Sequence, residues 1–356
     1  MPELTLQQVR DELLARNDPS LSPEDIEAKA PLVHEVLRLK YKHGVVLLGH
    51  NYMEPLVYNL SCREEQGDSL GLSRYAAETD AEYIVFNGVS FMAETAKVLS
   101  PEKKILIADK SAGCSLADDF DTAEITRLRE EYPGAPVMIY VNSNAAAKAM
   151  CDVCCTSANA EKIARAMPGG KIIFVPDVLF ARNLAVDLEG VEEVIYPGRD
   201  SGETKGAVCE VHEQFTLEGL LNVRRSFDMP KGNPGCMVYA HWECPPEVLR
   251  EADFYGSTSQ FIRDIARRVE QGTLERVFIA SESEMTSNMA LEFPGVRFWT
   301  GSPVRCPHME KITLEGVLKV LRAIDQDGDL GEFEVTLEPE LIERARKPIE
   351  LMLELS

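Results

Sequence analysis

One pattern of four features occurs three times in this chain, in the same order and at nearly the same spacing. It opens with a short run rich in Val and Ile at residues 45–48, 137–141 and 237–240. Each run ends on polar groups: His50-Asn-Tyr52, Tyr140-Val-Asn142 and His241-Trp-Glu243. A small hydroxyl cluster then precedes a helical stretch, as Gly67-Asp-Ser69, Thr156-Ser157-Ala-Asn159 and Gly256-Ser257-Thr258. A second apolar run follows at 83–86, 172–175 and 277–280, and then one cysteine: Cys114, Cys209 or Cys306. The spacing is roughly 95 residues throughout. A regular α/β chain approximates a period by itself, but four features in register favour triplication.

Strands alternating with helices predict a parallel sheet covered on both faces in each unit. The expected organisation is three αβα units, at 31–130, 131–225 and 226–325, around a pseudo-threefold axis. Flanking helices are expected at 1–30 (Leu4, Val9 and Leu13) and 326–356 (Leu341, Ile342, Ala345, Ile349 and Met352). Ligands of such sheets bind beyond the carboxyl ends of the strands. The polar groups ending the first runs fall there, so three units about an axis would bring them to one central cavity.

The net charge of −22, with no basic run, speaks against nucleic acid and against an anionic membrane surface. No stretch reaches the ~20 apolar residues of a membrane span. The first residues lack the basic-then-apolar layout of a signal peptide, so a cytoplasmic protein is expected. Nine cysteines, an odd number, then imply reduced thiols, some of them candidate metal ligands.

One cysteine per unit would deliver three thiolates to the axis. An all-thiolate site favours zinc or an iron–sulfur cluster. Structural zinc usually takes four ligands in close pairs, and a four-iron cluster on three cysteines would leave one iron open to act as a Lewis acid. Most cysteines are ordinary buried thiols, and the repeat lifts these three above that reading. The rival Cys151-Asp-Val-Cys154-Cys155 has a Cys-x-x-Cys form, but only Cys236 and Cys244 could complete it, so it reads as packing. Cys62 reads as structural. Ser69, Ser157, Ser257 and Thr258 precede helices, where hydroxyls and free N–H groups hold anions; taken singly, each would be a helix cap. His241 and Glu243 share a strand face and suit proton transfer, as do Tyr52 and Tyr140.

The runs Gly49-His-Asn-Tyr-Met-Glu-Pro55, Phe91-Met-Ala-Glu-Thr-Ala-Lys97, Ala112-Gly-Cys-Ser-Leu-Ala117, Cys155-Thr-Ser-Ala-Asn159, Cys209-Glu-Val-His-Glu213 and Arg305-Cys-Pro-His-Met309 resemble the quinolinate synthase family over nearly the whole chain. The resemblance implies a [4Fe–4S] cluster on Cys114, Cys209 and Cys306 with one open iron. It implies condensation of iminoaspartate with dihydroxyacetone phosphate to quinolinate, for NAD synthesis, with the imine arriving free or from an aspartate-oxidising partner. It places His50, Ser69, Tyr140, Asn142, Ser157, His241, Glu243 and Thr258 on the substrate, Tyr52, His212 and Ser257 close by, and Tyr52 and Glu243 as acid/base groups. A diverged paralogue on a related substrate and a non-catalytic iron–sulfur sensor are the alternatives. The chain departs from the family at Trp242, where Pro is usual, at Ser281-Glu-Ser-Glu-Met285, and in a longer polar stretch at 198–206. Alternation turns Trp242 away from His241 and Glu243. A Glu284 carboxylate facing the cavity would favour a less anionic donor.

Overall fold

The computed structural model describes residues 4–188, 190–199, 206–299 and 303–356. It contains three four-stranded sheets, all parallel, with helices between the strands. The first holds β1 (Val46–His50), β2 (Gln66–Gly67), β3 (Tyr83–Asn87) and β4 (Lys104–Leu106) in the order β2-β1-β3-β4. The second repeats this with β5 (Val137–Tyr140), β6 (Val153–Cys155), β7 (Lys171–Val175) and β8 (Glu193–Ile195), ordered β6-β5-β7-β8. The third has β9 (Cys236–His241), β10 (Phe254–Gly256), β11 (Arg276–Ala280) and β12 (Arg297–Trp299), ordered β10-β9-β11-β12. The expected α/β architecture of three similar parallel units is therefore present.

Register explains why the polar groups meet. The central strands β1, β5 and β9 are buried along their whole length, as sheets covered on both faces require. Each short edge strand pairs with the carboxyl end of its neighbour: Gly67 with His50, Cys155 with Tyr140, Gly256 with His241. The hydroxyl clusters leave those edge strands directly, so each emerges beside the polar group that ends the central strand.

The flanking segments are helical and bury apolar faces. Helix Pro23–His43 runs through the expected break at residue 30 and contains Pro31. A Ser22–Asp25 capping box starts it, and Gly44, at φ 60°, stops it in the left-handed region. Its apolar face (Ile26, Ala30, Val33, Val36 and Leu39) is continuous and buried, which outweighs one proline. At the other end, helix Pro339–Leu355 buries Ile342, Ala345, Ile349 and Met352. Of the stretch 198–206, residues 200–205 lie outside the described residues. Among the described residues no helix is long and apolar enough to cross a membrane.

Candidate active site

A cavity opens where the three sets of strand ends meet. His50, Tyr52, Ser69, Cys114, Tyr140, Asn142, Ser157, Cys209, His212, His241, Glu243, Thr258 and Cys306 all line it. Ser257 does not: its hydroxyl accepts from Gln260 N at 3.3 Å in a capping box. Capping, the commoner job of serine before a helix, is its role here.

The three lining cysteines share one local construction. Backbone N–H groups two and three residues onward point at each sulfur: Leu116 and Ala117 at Cys114, Val211 and His212 at Cys209, His308 and Met309 at Cys306. A short helical turn follows each cysteine (Ser115–Asp118, His212–Gln214 and Met309–Lys311), and the donors lie in it or at the residue just before it. Two N–H groups aimed at a sulfur suit an acceptor, the thiolate a metal requires. Burial pushes all three thiols up, Cys306 to about 11, with the Glu243 carboxylate adding for Cys114 and Cys209. As free thiols they would keep their protons, and a bound cation is what would remove them.

The other cysteines behave differently. Cys151 Sγ donates to Ala147 O and Cys244 Sγ to Ala280 O, each at 3.3 Å, as protonated thiols do. Cys154 is fully buried in β6. Geometry thus separates the sequence's two cysteine sets. It also adds a smaller one: Cys209, His212 and Glu243 present ligand atoms within 4.8 Å of one another, enough for a single ion.

Around the sulfurs runs a buried polar network. Glu243 Oε2 lies 2.6 Å from His212 Nδ1 and 3.2 Å from His241 Nδ1. Its Oε1 has one long contact, Asn142 Nδ2 at 3.3 Å, and so keeps acceptor capacity. Burial raises the Glu243 pKa, but His212 and His241 overcome that and hold it below the usual carboxylate range. His212 is pushed down by burial against the pull of Glu243, and His50 down to about 3, with His241 adding to burial. Tyr52 Oη sits 2.7 Å from Ser281 Oγ and 3.4 Å from His212 Nε2. Tyr52 and Tyr140 are both driven far up by burial and then by Glu243, so they hold their protons. At neutral pH the cavity therefore offers the Glu243 carboxylate as a base beside two phenol donors.

Ser281 and Asn51 belong to this network and escaped the sequence reading. Ser281 reaches Tyr52 and His212, and Asn51 reaches Thr258, across sequence separations that no local pattern reveals.

The two departures from the family pattern resolve separately. Trp242 is buried in the wall, its ring centroid 5.5 Å from Phe180 and 4.9 Å from Tyr255. It faces away from the cavity, as alternation requires. Glu284, expected at the cavity, is instead paired with Arg305 in a neighbouring pocket, because it lies in the first turn of helix Ser283–Glu292. Its charge is spent on Arg305 and does not face the central cavity. Trp242→Ala is expected to cost about 3–5 kcal/mol of stability through lost packing. It should leave KM unchanged, which denaturant unfolding and kinetics on one preparation would show; a changed KM at unaltered stability would place Trp242 in the site instead.

The family model for "Quinolinate synthetase A protein" matches residues 34–354. The chain is 39% identical to a quinolinate synthase of Caulobacter vibrioides over 94% of its own length and 84% of the relative's. It is 40% identical to quinolinate synthase 1 of Mesorhizobium japonicum, over 94% and 92% respectively. With a quinolinate synthase of Xylella fastidiosa the identity is 38%, over 90% and 86%. The family match spans all three sheets and the cavity wall, and the chain belongs to the quinolinate synthetase A family of enzymes.

Proposed function

We propose that this chain is a quinolinate synthase that condenses iminoaspartate with dihydroxyacetone phosphate, losing phosphate and water, on a [4Fe–4S] cluster held by Cys114, Cys209 and Cys306. The observation that carries this is the threefold cradle: one cysteine from each unit at one cavity, each with two N–H groups aimed at sulfur. When bound, such a cluster supplies an open iron as a Lewis acid for a substrate oxygen.

The remaining work falls to side chains. Anionic substrate groups meet hydroxyls and amides, since among the described residues no Lys or Arg lines the cavity. Ser69 and Thr258 stand at the first positions of their helices, where the positive end of the dipole favours an anion. Glu243 Oε1 receives the proton leaving substrate carbon, and the two imidazoles hold the carboxylate in place. Tyr52 Oη, held by Ser281, returns a proton to the departing hydroxyl.

The diverged-substrate alternative loses its main support with Glu284 turned to Arg305. An iron without a protein thiolate is open to oxidants. Quinolinate formation by anaerobically prepared protein is therefore expected to decay in air and to return after anaerobic reconstitution with iron and sulfide. Full activity after exhaustive chelation in air would overturn the reading.

A further inference from the structure

Asn51 lies between His50 and Tyr52, both in the cavity wall, yet it lines no part of the cavity itself. It is 1% exposed, and every polar group it owns is engaged. Its backbone N–H donates to Gly67 O at 3.0 Å, and its carbonyl accepts from Asn288 Nδ2 at 3.3 Å. Its Oδ1 accepts from Tyr58 Oη at 3.1 Å, and its Nδ2 donates to Thr258 Oγ1 at 2.8 Å. The last bond joins the end of the first sheet's central strand to the helix that starts beside the third sheet's.

That bond has a consequence for Thr258. A hydroxyl has one proton to give and two lone pairs. With Asn51 donating to one lone pair, the Thr258 proton must point elsewhere, and Thr258 lines the cavity. A hydroxyl fixed as a donor is what an anionic substrate oxygen needs where, among the described residues, no Lys or Arg lines the cavity. A freely rotating hydroxyl would have to be ordered at each binding event. Tyr58 fixes the amide from its other end, and Asn288, which also donates to Met53 O at 2.8 Å, fixes the backbone that carries it.

We infer that Asn51 is a positioning residue: it latches the first unit to the third and orients the Thr258 hydroxyl as a donor to an anionic group of the substrate. The inference rests on reading the cavity as the site of quinolinate synthesis. It makes Thr258 a binding group whose strength depends on a residue that never touches the ligand.

Asn51→Asp keeps the shape and replaces the donor by an acceptor, which draws the Thr258 proton away from the cavity. KM for one of the two substrates should rise tenfold or more, with kcat changed less than threefold. A charge-assisted hydrogen bond lost on binding has an effect of that order. Thr258→Val should do the same, Thr258→Ser should recover most of the loss, and iron content should stay at the wild-type level in all three. Thermal unfolding of Asn51→Ala, Thr258→Val and the double variant reads the latch without any substrate. The double variant should be less destabilised than the sum of the two singles. Additive stabilities, or an Asn51→Asp enzyme with wild-type KM for both substrates, would overturn the inference. A wild type that makes no quinolinate, but whose stability cycle is non-additive, would retain the latch and refute the function instead.

Discussion

Anaerobically prepared protein in which Cys114, Cys209 or Cys306 is replaced singly by Ala is expected to lose its iron, and with it all measurable quinolinate formation. The effect should be close to total, because a cluster held by three thiolates has no spare ligand. A short helical turn follows each of the three, and backbone N–H groups two and three residues onward face the sulfur, so none is merely a filler. Wild type should carry about four irons per chain. The same change at Cys151, Cys154 or Cys62 should leave the iron in place: Cys151 spends its S–H on a backbone carbonyl, and Cys154 is sealed in β6. Iron analysis of the six variants separates this from the single-ion alternative at Cys209, His212 and Glu243. That alternative predicts one metal per chain, retained when Cys114 or Cys306 is changed.

Glu243→Gln and Tyr52→Phe are expected to lower turnover by about 10²–10⁴-fold each, the usual contribution of a general acid or base. Both changes keep volume. In Glu243→Gln the carboxylate flanked by His212 and His241 loses its charge, and the base is gone. In Tyr52→Phe the proton donor held by Ser281 is gone. Iron content should fall far less than turnover in either variant, since neither residue is one of the three thiols. Turnover at the wild-type rate in both variants would remove the roles assigned to them.

The sequence made the architecture legible because function had imprinted the repeat. The ends of β1, β5 and β9 all face one cavity, so their polar groups, hydroxyl clusters and cysteines recur in register. The strands that no pattern announced are the two- and three-residue edges such as β2 and β10, too short for a period to appear. Ser257 illustrates the limit of arguing from the set: the triplicated pattern promoted it to substrate binding, while its own side chain closes a capping box. Glu284 shows another limit. Its position beside the strand end was readable, but its facing is fixed by the helix that begins there and by Arg305, which sequence order does not place. Ser281 and Asn51 were invisible because a short polar side chain gains meaning only from its partner, here Tyr52 or Thr258 in another unit.

The central claim is that this cavity makes quinolinate. Its most direct test is quinolinate formed from iminoaspartate and dihydroxyacetone phosphate by the anaerobically purified, cluster-loaded wild type. The account predicts many turnovers per chain; fully iron-loaded protein that forms no quinolinate from this pair would contradict it.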